Sequence, residues 1–387
     1  MRVANSLMAS AVACRSLIGL DVGGTKIACV EGGFNGEIHR RREIATQAHR
    51  PFDQRFPAVT DLVTQLIGEA RSAGREVVAL SVAVGGPLRI REGLLLNPPH
   101  LPGWHNVNLK RRLAERFPSL PVHIEHDGNA GALAEWRFGA GRSRPAIRHL
   151  VFLTFGTGLR AGIIVNGKIL HGASDMAGEV GHWRLAPDRP EGYGKRGSWE
   201  GFASGAGLVL LANRMFPCRW PADTETRVLV EAMLADDAEA LAVAAEAGRR
   251  MGAGLALLVD ALNPQLIVLG SLGIVLGDRI LRSAREVLAQ EGLPQSVGAC
   301  RIVPAELGRR VGDAGVRPGV VREAFALCDI QNLLSLLKIA CAAMASAVIA
   351  SATVRIRSMS RLLELAVTAK SISRIEPAPN KLPGQRS

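Results

Sequence analysis

Residues 16–33 read SLIGLDVGGTKIACVEGG, two β-rich runs joined through Gly23 and Gly24. Adjacent glycines between such runs signal a hairpin, because they adopt the angles of a tight turn without steric cost. The pattern restarts at 149–172, HLVFLTFGTGLRAGIIVNGKILHG: strand, glycine-rich turn, strand, Asn-Gly hairpin, short strand. Each hairpin leads into alternating elements. After the first come a helical pattern at 61–74, a buried strand ending in a Gly-Gly-Pro loop at 76–87, a short helix at 112–117, a strand at 121–126 and a helix from Asn129 to about Phe138. After the second come a long helix from about Asp237 to Leu262, a strand at 265–270, a helix at 277–292 and a strand at 299–307. Two halves of this kind predict a duplicated α/β architecture with two lobes and a central cleft. The expected boundaries are 16–140 for the N-terminal lobe, 148–326 for the C-terminal lobe and 328–387 for a basic tail.

The chain has 387 residues, too many for one ordinary core, and 48% of them are hydrophobic, which excludes a disordered protein. A net charge of +12 suits an anionic ligand such as a nucleotide. It argues less for nucleic acid, since only 4% of residues are aromatic and the basic residues are dispersed. Six cysteines at 14, 29, 218, 300, 328 and 341 include no CxxC or zinc-finger spacing, and a reducing cytoplasm is expected. The N-terminal MRVANSLMASAVACRS has a weak secretory pattern, discounted because a strand starts at about Leu17. In the tail, IACAAMASAVIASATV (339–354) is an uncharged run of 16 small and apolar residues. A membrane span needs about 20 strongly apolar residues, so a packed or amphipathic helix is expected, followed by a disordered end.

The glycine clusters carry the first chemistry. DVGGTK (21–26) is not a P-loop, since GxxxxGK[ST] is missing. GTGLRAG (156–162) opens a strand, not the helix that a dinucleotide fingerprint requires. Two such turns can instead aim backbone N–H groups at phosphate oxygens. Thr25, Lys26 and Thr157 would add contacts, and Asp21 would hold the waters of Mg²⁺. The plain alternative is a pair of ordinary hairpin turns.

The second chemical signal is EHDGNAGALAEW (125–136), where Asp127 lies between an apolar strand and an alanine-rich helix. That place suits a helix N-cap, and it also suits a catalytic carboxylate at a strand end.

In this order and spacing, the motifs resemble the ROK family of sugar kinases and repressors, over roughly residues 16–326. LDVGGTKI and TFGTGL resemble its two phosphate loops, NPPHLPGW (97–104) its sugar-side loop and EHDGNAGALAE the segment of its catalytic Asp. NGKILHGASDMAGEVGH (166–182) resembles the stretch ending in Glu-x-Gly-His. NPQLIVLGSLG (263–273) is similar to the adenosine-side strand, and LGRRVGDAGV (307–316) to the end of the fold. The resemblance implies the duplicated actin/hexokinase-like (ribonuclease H-like) fold. It implies ATP and Mg²⁺ as cofactors, and transfer of the γ-phosphoryl to a sugar 6-hydroxyl, glucose first and an N-acetylhexosamine next. Asp127 would be the general base. Asn97, His126, Glu179, His182 and Glu200 would contact the sugar. Asp21, Gly23, Gly24, Thr25, Lys26, Gly156, Thr157, Gly158, Gly270 and Ser271 would form the nucleotide side. A homodimer is what the family suggests; nucleic acid and membrane are not expected as partners.

Taken singly, several of these residues have bland readings. Glu179 and Glu200 could be surface acids near helix starts, His182 a satisfied histidine, and Asn97 a turn residue before two prolines.

Three departures bear on chemistry. Many family members bind a structural zinc through the Gly-His histidine and three cysteines; here Glu191, Tyr193 and Ser198 stand at the cysteine positions, so no zinc is expected. Tyr193 and Trp199 would then help fill the loop. His126 replaces the usual Asn before the catalytic Asp. Arg160 interrupts the second glycine loop, where it could reach a phosphate, point outward or obstruct the loop. Family repressors carry a helix-turn-helix ahead of the first phosphate loop, and this chain has about 16 residues there, so a kinase is expected over a regulator. A catalytically weak binding protein is the third possibility.

Overall fold

In a computed structural model, the described residues are 15–33, 37–142, 147–188, 190–192 and 194–307. All lie in one compact unit, Met1–Ala340. The expectations for the tail, for Tyr193 and for most of the 307–316 motif fall outside the described residues, as does the N-terminal stretch before Arg15.

Two five-stranded sheets organise this unit. The first contains β1 (Arg15–Val22), β2 (Lys26–Gly32), β3 (Ile38–Ala45), β4 (Glu76–Val84) and β5 (Val122–His126). Its order is β3-β2-β1-β4-β5. The second contains β6 (Leu150–Leu153), β7 (Ala161–Val165), β8 (Lys168–Ile169), β9 (Leu266–Leu269) and β10 (Arg301–Pro304), in the order β8-β7-β6-β9-β10. Each sheet has three antiparallel strands followed by two parallel ones. The two halves of the sequence thus fold to the same topology. The central strands β1 and β4 are buried on both faces, which explains their nearly unbroken apolar runs.

Five helices matter for the site: α1 (Phe52–Ser72), α2 (Asp127–Phe138), α3 (Gly205–Met215), α4 (Ala238–Leu262) and α5 (Asp278–Glu291). In α1, Val59, Val63, Leu66 and Ala70 recur on one buried face against the first sheet. Burying a side chain such as Leu66 contributes about 1.5–3 kcal/mol. This helix starts nine residues before the expected Asp61 and runs through Pro57. The extension is held from outside: the Phe52 ring meets Trp104 edge-on at 5.0 Å, and Phe52 N–H donates to Gly103 O. Proline disfavours a helix interior locally, and this tertiary contact outweighs it.

α2 leaves the end of β5 in the first sheet and packs on β6 and β7 of the second. Its approach is close enough that a Cβ at Gly162 would stand 2.1 Å from the carbonyl oxygen of Gly128. That contact fixes where α2 begins, and so where Asp127 sits.

Candidate active site

Parallel strands present their C-terminal ends together, and ligands of open α/β sheets bind at that edge. Register aligns Asp21 with Ala83 and Val84 with His126. The first glycine turn, the Gly85-Gly86 loop and Asp127 therefore share one edge of the first sheet. The loop of Thr154–Gly158 and the pair Gly270-Ser271 follow β6 and β9, neighbours in the second sheet.

Asp127 is the first residue of α2, while His126 holds the N-cap backbone (φ −70°, ψ 141°). The helix thus starts two residues before the expected Asn129, and the cap position belongs to the histidine. The Asp127 side chain is 34% exposed. Its Oδ1 accepts from Gly128 N–H at 2.6 Å and lies 2.7 Å from His126 Nδ1. Burial works against ionisation. The His126 ring and its hydrogen bond, the Arg160 guanidinium and the Gly128 N–H outweigh it and hold the carboxyl well below the usual range.

His126 is itself buried. Its Nε2 faces Gly86 N–H at 2.9 Å and Arg160 Nη1. Behind it, Glu125 Oε1 accepts from His126 N–H and Asn129 Nδ2, both at 2.9 Å. Glu125 Oε2 meets His171 Nε2 at 2.9 Å.

Arg160 does not point outward from the strand. Its side chain is 8% exposed and turns inward, where Nη1 meets Glu179 Oε1 at 2.5 Å and Nη2 donates to Ala177 O at 3.1 Å. Its backbone closes the loop, with Arg160 N–H donating to Thr154 Oγ1 at 3.1 Å and Thr154 N–H to Arg160 O at 2.8 Å. Burial lowers the Arg160 guanidinium below its ordinary value, and the inward turn places it among Glu179, Asp127 and Glu125, whose fields oppose that shift.

Glu179, half-buried, precedes a 3₁₀ turn at Val180–His182, and His182 N–H donates to Glu179 O at 3.2 Å. Glu200 Oε2 accepts from Leu159 N–H at 2.8 Å, so this carboxylate braces the second glycine loop. Asn97 is exposed. Its loop runs along the first glycine turn, where a Cβ at Gly24 would stand 2.8 Å from His100 O.

On the nucleotide side, Asp21 is buried at the end of β1. Thr46 clamps the first turn: its N–H donates to Thr25 O at 3.0 Å and its hydroxyl to Gly23 O at 2.6 Å. The Lys26 ammonium lies 3.5 Å from Glu43 of β3. In the second turn, Gly156 N–H donates to Gly158 O at 3.1 Å. The first residue of α3, Gly205, gives its N–H to Gly156 O at 2.6 Å, and Ala206 N–H bonds Thr157 O at 3.3 Å. Ser271 has φ 44°, ψ −109°, a strained conformation for a residue with a side chain, and its hydroxyl oxygen is 3.3 Å from a Cβ position on Gly156. Gly270-Ser271 and the second glycine turn thus meet.

At the expected zinc-free loop, Ser198 is fully buried, its hydroxyl donating to Gly192 O at 3.1 Å and accepting from Gly201 N–H at 3.2 Å. Glu191 pairs with Arg196 at 3.5 Å, and Trp199 stacks on Trp183. Among the described residues, no three of His, Cys, Asp or Glu gather as a metal cluster, and no helix is long and apolar enough to cross a membrane.

Glu125, Asn129, His171 and Thr46 escaped the sequence reading. Glu125 had a visible signal, a carboxylate one residue from a histidine at the end of an apolar strand. His171 and Thr46 had none.

The ROK family model matches residues 17–317. This chain belongs to the ROK family. It is 30% identical over 322 residues to the glucokinase of Streptomyces coelicolor, covering 77% of this chain and 95% of that one. It is 28% identical over 323 residues to a putative xylose repressor of a Caldicellulosiruptor species, covering 81% and 80%. The crystal structure of a ROK family glucokinase from Streptomyces griseus, in complex with glucose and AMPPNP, superposes with a TM-score of 0.64 at 27% identity, covering 84% of this chain and 98% of that one. The fold is therefore the two-lobed actin-like fold of ROK hexokinases and glucokinases.

Proposed function

We propose that the chain is an ATP-dependent sugar kinase that transfers the γ-phosphoryl group to the 6-hydroxyl of a hexose, glucose first, with Asp127 as general base. The observation that carries this reading is the Asp127 carboxylate: part exposed at the strand edge and held ionised. Both of its hydrogen bonds fall on Oδ1, which leaves Oδ2 to accept a hydroxyl proton. The glucokinase relatives support glucose and ATP as the ligands.

Phosphoryl transfer depends mainly on positioning and charge neutralisation. The clamped turn at Gly23–Thr25 and the braced turn at Gly156–Gly158 would cradle phosphates with backbone N–H groups, and Gly270-Ser271 would flank the adenosine. Mg²⁺ usually keeps several waters and takes only one or two carboxylates, which fits the buried Asp21 carboxylate beside the first turn. Bound there with ATP, the ion would neutralise phosphate charge. Glu179, His182, Glu200 and Asn97 would read sugar hydroxyls, with His126 beneath the base. Three free cysteines among the described residues suit a cytoplasmic enzyme, and a homodimer completes the proposal.

Sugar-dependent ADP release from the full chain, measured with ATP and a panel of hexoses and N-acetylhexosamines, tests this reading. Release with glucose supports it, and release with an N-acetylhexosamine alone moves the substrate to that class. A second reading, a sugar-binding regulatory protein of the same family, is favoured by the Arg160 pairing with Glu179 and by the repressor relative. Calorimetric sugar binding without turnover of any panel member would select it.

A further inference from the structure

The second glycine loop carries an arginine whose side chain lies inside the candidate sugar site. Arg160 is buried, and its Nη1 meets two acceptors at once, Glu179 Oε1 and His126 Nε2. Nη2 is spent on Ala177 O. The guanidinium therefore forms a floor beneath two more exposed carboxylates, Asp127 and Glu179, each with about a third of its side chain open.

A guanidinium has donors only. His126 Nε2 also receives Gly86 N–H at 2.9 Å, so two donors converge on that nitrogen and it must accept. The ring proton is then on Nδ1. Asp127 Oδ1 lies 2.7 Å from Nδ1 and takes that proton as a hydrogen bond. Gly128 N–H, 3.2 Å from Nδ1, is satisfied by Asp127 Oδ1 at 2.6 Å. We propose that Arg160 is the positioning residue of the base: its fork fixes the His126 imidazole in the tautomer that donates to Asp127, and the same fork anchors Glu179.

The arrangement rests on the reading of Asp127 as the base. It deepens that reading by giving the departure at residue 160 a task. A tautomer fixed in this way aims the Nδ1–H at one carboxylate oxygen and leaves Oδ2 for substrate. The titratable and charged groups around Asp127 come from each packed element. They are the ionisable Glu125 and the His126 imidazole, neutral in this tautomer, at the end of β5, Arg160 on the β6–β7 loop, Glu179 before the 3₁₀ turn, and His171 through its bond to Glu125. Arg160 is the one permanent cation of this group, and its field adds to the lowering of the Asp127 carboxyl.

The test uses the full chain without substrate, so its outcome does not depend on turnover. Histidine ring nitrogens are labelled with ¹⁵N and aspartate carboxyls with ¹³C, with His126→Gln and Asp127→Asn used to assign the two signals. The parent should show an acceptor-type Nε2 and a protonated-type Nδ1 at His126. In Arg160→Met, Nε2 keeps only the Gly86 N–H donor, so its signal should shift as acceptance weakens, and the Asp127 midpoint should rise by about one pH unit or more. Arg160→Lys keeps the charge but not the fork, so it should shift the His126 ring signals while leaving the Asp127 midpoint near that of the parent. A folded Arg160→Met variant with unchanged ring signals and midpoint overturns the proposal. If that variant does not fold, unchanged ring signals in Arg160→Lys overturn it instead, and changed ones support it. Failure of the kinase reading shows separately, as missing sugar-dependent ADP release.

Discussion

His171, from the segment after β8, and Glu125, at the end of β5, are joined at 2.9 Å across the two sheets. A second tie lies close in sequence, where Ile90 N–H donates to Asp175 Oδ2 at 2.8 Å. The segment 171–175 thus joins the second half to the first at two points. The Glu125 hydrogen bond raises the His171 imidazole above its ordinary value, against a smaller opposing effect of burial. A group raised in the folded state contributes stability below its unfolded value, and that contribution is lost as pH rises through the folded value. The window therefore opens near pH ~6.5 and extends upward. Thermal unfolding followed from pH 6 to 9 should show a decline in Tm that is smaller in His171→Gln. Equal slopes would remove His171 from the account.

Asp127→Asn should keep the hydrogen bond to Gly128 yet lose the proton acceptor. Turnover should fall by about 10²–10⁴-fold with ATP affinity spared. Because the carboxyl sits below the ordinary range of about 4, the parent should show no acid limb from this group near neutral pH. Near-normal turnover in the variant would mean that another group takes the proton.

Gly162→Ala puts a methyl group against the Gly128 carbonyl, 2.1 Å away on the present backbone. The helix carrying Asp127 must shift. Overpacking of this kind costs about 1–3 kcal/mol, and a small displacement of the base should reduce kcat more than KM. A drop in Tm with kcat unchanged would separate the packing of α2 from the chemistry.

Ser198, at a position where the family resemblance implies a cysteine, makes two hydrogen bonds through its hydroxyl. Ser198→Ala removes the cap on Gly201 and the bond to Gly192, at a cost of about 1 kcal/mol. Chelators should leave the Tm of the parent unchanged, and elemental analysis should find no stoichiometric zinc. One tightly held zinc per chain would contradict the assignment of residues 191–201.

Much of the fold was legible because it is written locally. Paired glycines mark the two hairpins, unbroken apolar runs mark the buried strands β1 and β4, and the restart at 149–172 foretells the repeated sheet topology. The junction holding Asp127 was visible for the same reason, since a strand end and a helix start each leave a pattern within a few residues. The sequence alone determined these features. The tertiary structure decided what depends on distant partners. Phe52 and Trp104 set the start of α1 in spite of Pro57. Glu43 engages Lys26 on the sheet. Arg160 turns inward because Glu179 and His126 await it there, and Glu125 finds His171 46 residues away. Hydrogen bonds and ion pairs between such residues have no periodicity to read. Those of Arg160 with His126 and of Glu125 with His171 form only when the packing of α2 on β6 and β7 brings the two halves of the chain together.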